Sequence, residues 1–466
     1  MLIRQSKSSF IRHFSGYSYI ENQVTHLQRL YRHKEHDVLM HLNRVPRSVE
    51  GFIKLCNGIE PLFIDTFLEE LISLKFVVVG ETKEDLDEKD LKFSHATKKD
   101  IETQFSILQL QNKQPLDHLW LKRIEIELTP RCNERCLHCY IPNSDKDKGG
   151  YMSFTMFKNI IDQFAEFGGI SVIISGGEPF IHKDVCQMLS YCREKDLMIT
   201  ILSNLTHVSK TQIDFLKSID IFMLQTSIYS MKSETHDYIT RRKGSFDKTI
   251  GVLEELVMNN IPIMISCPIM NLNVEDYENV KKYANNIGAE FTSDYILLAQ
   301  YNKDDRNLNV RMTTSQLKNY FENLINSSDY YSELIYSART EDELLSNRFA
   351  IRKTCNVLQS DLCISSNGDF FPCPSWQDYK LGNINECGIK DIWLKSEKTN
   401  NIRNIKREDF IKCRNCNLTN FCEMCMVYNY NENKGNYLEV SKRFCKSAEI
   451  FRDVVINRYR SYAKNN

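Results

Sequence analysis

From residue 115 the chain alternates short apolar runs with amphipathic stretches of helical period. That alternation restricts it to a parallel βα architecture, because each apolar strand must be covered by the helix that returns the chain to the next. The candidate strands are "KRIEIEL", "ISVIIS", "LMITILS", "IFMLQTSI", "IPIMISCPI" and "FTSDYILL", and helical stretches such as "YMSFTMFKNIIDQFAEF" separate them. Six such units predict an α/β fold, a partial (β/α)6 TIM-like barrel over residues 115–325, with its active face at the C-terminal strand ends.

Residues 1–80 predict a small winged-helix-like domain. Two alternating runs in "FSGYSYIENQVTHLQRLY" read as a hairpin over 14–31. The stretches "KEHDVLMHLN", "SVEGFIKLC" and "PLFIDTFLEELISL" read as helices, and "KFVVVG" as a closing strand. In "ETKEDLDEKDLKFSHATKKD", twelve of twenty residues are Asp, Glu or Lys, so 81–114 reads as a charged linker with some helix. Residues 326–466 predict a bridging helix followed by a cysteine-rich domain.

A formal net charge of −1 gives no sign of a polyanion-binding or polybasic membrane surface, so neither nucleic acid nor membrane is expected as a partner. Apolar runs such as "FVVV" at 76–79 are far too short to span a bilayer. The opening "MLIRQSKSSFIRHFSGYSYI" is free of acids, but it lacks a secretory apolar core and runs into a strand-like pattern. A cytoplasmic protein is expected. The chain has sixteen cysteines, and in a reducing compartment clustered cysteines bind metal more often than they form disulfides.

Cys132, Cys136 and Cys139 are spaced CxxxCxxC, directly after the first barrel strand. Three thiolates on a four-iron cluster leave one iron open to an exogenous ligand. The spacing alone also admits a zinc ion with a distant fourth ligand such as His138. Farther on, Cys355, Cys363 and Cys373 precede Cys413, Cys416, Cys422, Cys425 and Cys445. Eight cysteines suffice to close two four-iron clusters, or two zinc sites.

CxxxCxxC after the first strand of a partial barrel resembles the radical SAM superfamily, over about residues 120–310. The resemblance implies a [4Fe–4S] cluster on Cys132, Cys136 and Cys139, whose open iron holds S-adenosylmethionine. Reductive cleavage of that cofactor yields a 5'-deoxyadenosyl radical that abstracts hydrogen from substrate. Gly176, Gly177 and Glu178 of "SGGEPF" match the motif for the methionine amine, with glycines that admit close backbone approach. Ser203 and Asn204 of "LSN", and Ser227, occupy positions resembling ribose and carboxylate contacts, although turn capping explains them equally. The expected carboxylate-binding arginine falls on Thr240, so Arg241 or Arg242 would substitute.

The later cysteines, with Gly368 before Cys373, resemble the SPASM extension of that superfamily. The resemblance implies one cluster on Cys355, Cys363, Cys373 and Cys425 and another on Cys413, Cys416, Cys422 and Cys445, three [4Fe–4S] clusters in all. Two residues separate Cys422 from Cys425 where the family has three. Cys267, near the end of the fifth strand, is a candidate catalytic hydrogen-atom donor, against the commoner reading of a buried core thiol.

The N-terminal unit resembles the leader-recognition element of peptide-maturation systems. The whole therefore implies an enzyme that modifies a leader-bearing ribosomal peptide, drawing electrons from a flavodoxin or ferredoxin. The expected product is an oxidative thioether or carbon–carbon crosslink. An epimerase or a sulfatase-type maturase is the alternative within the superfamily; a non-catalytic iron–sulfur carrier or zinc adaptor is the alternative outside it.

Overall fold

The computed structural model describes residues 1–94, 119–347, 357–422 and 424–463. At the N-terminus, β1 (Leu2–Gln5) begins one small sheet, and β2 (Ser9–Phe14), β3 (Tyr17–Asn22) and β4 (Gln28–Arg32) form a separate antiparallel meander. Helix α1 (His33–Leu39), strand β5 (Arg47–Ser48), helices α2 (Val49–Leu55) and α3 (Pro61–Ser73), and strand β6 (Val77–Gly80) follow. β5 and β6 flank β1. The expected hairpin is thus three strands. β2 escapes a simple alternation reading because both its faces are covered: Ile11 enters the wing core while Phe10 packs with Trp120, Ile170 and Met198 of the barrel.

The charged stretch is not all linker. Helix α4 (Lys83–Ser94) packs on β6 and β1, with Leu86 fully buried. Asp90 pairs with the buried Arg4 at 2.6 Å and accepts from Ser6 Oγ at 2.6 Å. Partnered charges can be buried where lone ones cannot. The rest of the expected linker, 95–114, lies outside the described residues.

The six expected barrel strands are present: β7 (Arg123–Glu127), β8 (Ser171–Ser175), β9 (Met198–Leu202), β10 (Met223–Ser227), β11 (Ile263–Pro268) and β12 (Glu290–Asp294). They pair in sequence order, all parallel. Between β7 and β8 stand α5 (Asn143–Lys148) and α6 (Phe154–Glu166). Ser153 caps α6 by accepting from Met156 N–H, and Phe157, Ile160, Ile161 and Phe164 are its buried face. These pack in one core with Ile124, Ile126, Val172 and Ile174, each large side chain contributing ~1.5–3 kcal/mol. Alternation then turns Glu125, Glu127 and Ser175 to the inner face, where Ser175 Oγ donates to Glu125 at 2.7 Å.

The sheet does not stop at β7. β13 (Asp361–Ile364) pairs parallel with its free edge, setting Cys363 opposite Glu125, and β14 (Asp369–Phe371) and β15 (Gly382–Asn383) continue antiparallel. The cysteine-rich region therefore extends the barrel wall.

The wing docks on the opposite end, where the strands begin. Arg12 donates to the carbonyls of Gly169 (2.7 Å) and Asp196 (2.6 Å), and Arg44 Nε donates to Asp196 Oδ1 at 2.7 Å. Lys122 pairs with Glu21 at 2.8 Å, and the Tyr19 and Trp120 rings meet edge-on at 4.9 Å. No described helix is long and apolar enough to cross a membrane.

Candidate active site

The chain leaves β7 into the loop carrying Cys132, Cys136 and Cys139, at the C-terminal end of the barrel as expected. Two backbone bonds fix this loop to the helix Ser233–Thr240: Arg135 N–H to Thr240 O (3.0 Å) and Leu137 N–H to Ile239 O (2.9 Å). All three thiols are half-buried. Glu134 N–H and Asn204 Nδ2 donate to Cys132 Sγ at 3.4 and 3.7 Å. Cys136 Sγ donates to Glu134 Oε2 at 3.4 Å, and Tyr229 hydroxyl reaches Cys136 Sγ at 3.9 Å.

Burial pushes the Cys132 thiol up to about 12, and Cys136 lies well above the ordinary thiol range for the same reason, reinforced by Glu134. Such groups are disfavoured as free thiolates and need a positive partner. Lys146 of α5 is one, only 3% exposed. Burial alone would lower its ammonium, but the facing Cys139, Cys136 and Cys132 raise it, with a side-chain hydrogen bond to Cys139. The sequence reading missed Lys146, because "SDKDKGG" looks like solvated surface.

The GGE loop holds the cysteine loop from beneath. Gly177 N–H donates to Thr129 O at 2.8 Å and Glu178 N–H to Arg131 O at 2.9 Å. A Cβ on Gly176 would stand 2.3 Å from Thr129 O, and one on Gly177 2.1 Å from Arg131 O. The glycines thus permit close approach to the protein's own backbone, where a close approach to ligand was expected.

Glu178 is fully buried. It accepts from Phe180 N–H and Ser203 Oγ on Oε1 (3.0 and 2.8 Å) and from Asn204 N–H on Oε2 (2.8 Å). Burial raises its carboxyl to about 7 against these three bonds. Asn204 also donates to Asn133 Oδ1 at 2.8 Å, so "GGE", "LSN" and the cysteine loop form one hydrogen-bonded unit. Ser227 ends β10, and its side chain bonds the Tyr229 hydroxyl.

Two expectations are corrected by geometry. Arg241 caps the helix Ser233–Thr240 in the left-handed conformation (φ 53°) and is exposed. Arg242 instead turns inward and donates to Asn133 O at 2.7 Å, so of the two it is the one that meets the cysteine loop. Cys267 is fully buried on the outer face of β11, in the core with Ile263 and Ile265. Its thiol lies 3.9 Å from Tyr229 O and 3.8 Å from Asn273 Nδ2. It is not among the groups facing the three cysteines.

Of the later cysteines, Cys413, Cys416, Cys422 and Cys445 are brought within electrostatic reach of one another. Burial raises Cys422 to about 11, opposed by Arg407 and reinforced by the other three. Cys363 is likewise raised by burial, then by Glu127, Glu125 and Cys373. Cys425 caps the helix Met426–Glu432, packed against both cores of this region. Cys355 lies outside the described residues. Among the described residues, no three His, Cys, Asp or Glu side chains stand close enough to hold a single metal ion.

The first site fits a sulfur-bound cluster and a polar ligand. Its donors are three soft thiols, the ligand type that holds an iron–sulfur cube, and a buried cation stands beside them. Glu134 Oε1 and His138 Nδ1 are buried there without hydrogen-bond partners among the described residues. Burial holds His138 down at about 4, so it is neutral.

Residues 126–284 match the radical SAM superfamily, and 355–417 match the SPASM iron–sulfur cluster-binding domain. The AdoMet-dependent heme synthase of Methanosarcina barkeri is 25% identical over 327 residues, 67% of this chain and 93% of that protein. The antilisterial bacteriocin subtilosin biosynthesis protein AlbA of Bacillus subtilis is 25% identical over 313 residues, 66% of this chain and 68% of that protein. In fold, Streptococcus suis SuiB, solved bound to precursor peptide SuiA, superposes with a TM-score of 0.61 at 16% identity, covering 91% of this chain and 96% of SuiB. The two domains imply [4Fe–4S] clusters and S-adenosylmethionine. With the cysteine loop, the GGE loop and the SPASM strand joined in one barrel wall, the chain is an enzyme with a radical SAM domain over residues 126–284 and a SPASM domain over 355–417.

Proposed function

We propose that this enzyme oxidatively crosslinks a leader-bearing ribosomal peptide, through a thioether or carbon–carbon bond. The observation that carries the reading is the pairing of β13 with β7, which sets Cys363 on the inner barrel face opposite Glu125. Cys363 would there help to hold a cluster able to accept an electron, beside the end of β7 from which the cysteine loop departs. Bound cluster and S-adenosylmethionine supply a carbon-centred radical that removes a hydrogen atom from substrate. Closing a bond at that carbon with loss of a further proton leaves one electron to be taken up.

The residues divide the work. Cys132, Cys136 and Cys139 would hold the first cluster, with Lys146 balancing its thiolates. Cys355, Cys363, Cys373 and Cys425 would hold the second, and Cys413, Cys416, Cys422 and Cys445 the third. Glu178, Ser203, Asn204, Ser227 and Arg242 would orient S-adenosylmethionine, and an external flavodoxin or ferredoxin would supply the reducing electron.

The wing would bind the leader. Among the described strands β4 pairs only with β3, which leaves its other edge for strand addition. Tyr31 of β4 packs on Phe67 of α3 and bonds Glu70 at 2.7 Å, while Leu62 at the start of α3 is 77% exposed. The peptide neighbours SuiB and AlbA favour this reading over a haem-forming one.

Mass spectrometry of a coexpressed precursor peptide tests the proposal. Oxidative crosslinking makes it about two mass units lighter. An epimerase would leave the mass unchanged in water and retain one solvent deuterium in heavy water, and that result would overturn the crosslinking reading. Leu62→Glu should weaken peptide binding while S-adenosylmethionine cleavage continues.

A further inference from the structure

A cavity of about 590 Å³ opens between the C-terminal end of β7, the glycine pair after α5 and the turn joining β13 to β14. Four carboxylates line it, Glu127, Asp145, Asp369 and Asp378, against one lysine, Lys148. Three of the four are engaged. Asp145 accepts from the Tyr301 hydroxyl, Asp369 pairs with Lys380 at 2.5 Å, and Asp378 pairs with Lys303 at 2.5 Å.

Glu127 differs. It is 3% exposed, and Gln377 Nε2 donates to its Oε2 at 2.5 Å. Its Oε1 is buried with no hydrogen-bond partner among the described residues. The Ser365 hydroxyl, in the same cavity wall, is also buried and unpartnered. Native folds rarely leave a buried carboxylate oxygen unpaired, because its lost hydration is not replaced. Such a group in the wall of an acidic cavity is arranged for a donor that arrives from outside.

The cavity is also well placed. Glu127 is the last residue of β7, and Glu125, two residues before it on the same face, stands opposite Cys363. The space therefore lies beside both the cysteine loop and the SPASM strand.

We infer that this cavity receives one cationic side chain, lysine or arginine, of the peptide substrate, and that Glu127 Oε1 accepts from its terminal nitrogen. The inference rests on the peptide-modifying reading above. It makes Glu127 a specificity-determining residue, which selects the residue seated beside the reacting centre.

Calorimetry on the reconstituted enzyme with S-adenosylmethionine tests it, using three probes: acetyl-Gly-Lys-Gly-amide, its norleucine analogue and n-butylamine. The lysine peptide should bind about tenfold tighter than the norleucine peptide, the effect of one charge-assisted hydrogen bond. In Glu127→Gln, with melting temperature and iron content checked, that ratio should fall to about threefold or less. Equal binding of the two peptides to wild type, no measurable binding of the lysine peptide, or a full ratio retained in Glu127→Gln overturns the inference. The wild-type ratio decides by itself if the variant does not fold. Should n-butylamine bind as tightly as the lysine peptide, the cation site stands and the peptide reading falls.

Discussion

Gly177 and Arg131 meet backbone to backbone: a Cβ on Gly177 would stand 2.1 Å from the Arg131 carbonyl oxygen, one residue before the first cysteine of the cluster loop. Gly177→Ala must therefore push that loop away. Overpacking of this kind costs about 1–3 kcal/mol. The displaced loop should also lose its cluster, so iron should fall by about four per chain. S-adenosylmethionine cleavage should fall at least tenfold, with the SPASM clusters retained. Iron analysis and electron paramagnetic resonance after anaerobic reconstitution check this.

Replacing Cys132, Cys136 and Cys139 together by Ala should remove about four of roughly twelve irons and abolish 5'-deoxyadenosine formation. Replacing Cys413 and Cys416 by Ala should remove a similar share of iron yet leave slow cleavage measurable. Equal cleavage by the triple variant and wild type would show that these thiols are not the reductive centre.

Arg242 and Arg241 are adjacent but not equivalent. Arg242→Ala removes the contact to Asn133 O and should weaken S-adenosylmethionine binding about tenfold, as expected for a charged hydrogen bond worth ~1.5–3 kcal/mol. Arg241→Ala, at an exposed helix cap, should change it by about twofold or less. Equilibrium binding to both variants measures the difference.

His236 is 1% exposed and takes Tyr229 N–H on Nδ1 at 3.3 Å, so it is held neutral; burial lowers it to about 4. A histidine with a folded value below its unfolded value loses stability as pH falls, because only the unfolded chain takes up the proton. Between pH 7 and 5.5 this contributes a loss of about 1 kcal/mol. In His236→Phe that part of the slope should vanish, read from melting temperatures across the interval.

Much of this is legible in the sequence. The barrel strands show themselves as apolar runs of fixed length, and cluster cysteines show themselves because thiol ligation demands close spacing. Relationships across the chain did not. β13 joins β7 from more than two hundred residues away, and nothing in "DLCI" announces that partner. Arg241 looked as suitable as Arg242 because the left-handed turn that separates their directions is a property of the helix end. Lys146 reads as surface because it stands among Asp and Lys, and only the fold of the preceding loop sets three thiols against it. Cys267 sat near the right strand end, but an odd or even position along β11 decides which face it takes.

For the proposed leader-bearing substrate, the clamp formed by Arg12 and Arg44 has a consequence for the length of the precursor. It pins the wing where the strands start, whereas the cysteine loop stands where they finish. A leader held along β4 must then be joined to its reacting residue by a tether that climbs the barrel. A five-residue strand rises about 17 Å, and with a loop at each end the climb is roughly 25–30 Å. An extended chain covers it in about eight or nine residues at ~3.3 Å each. The barrel wall would thus act as a ruler, and a precursor with a shorter tether would dock at full strength and never be modified.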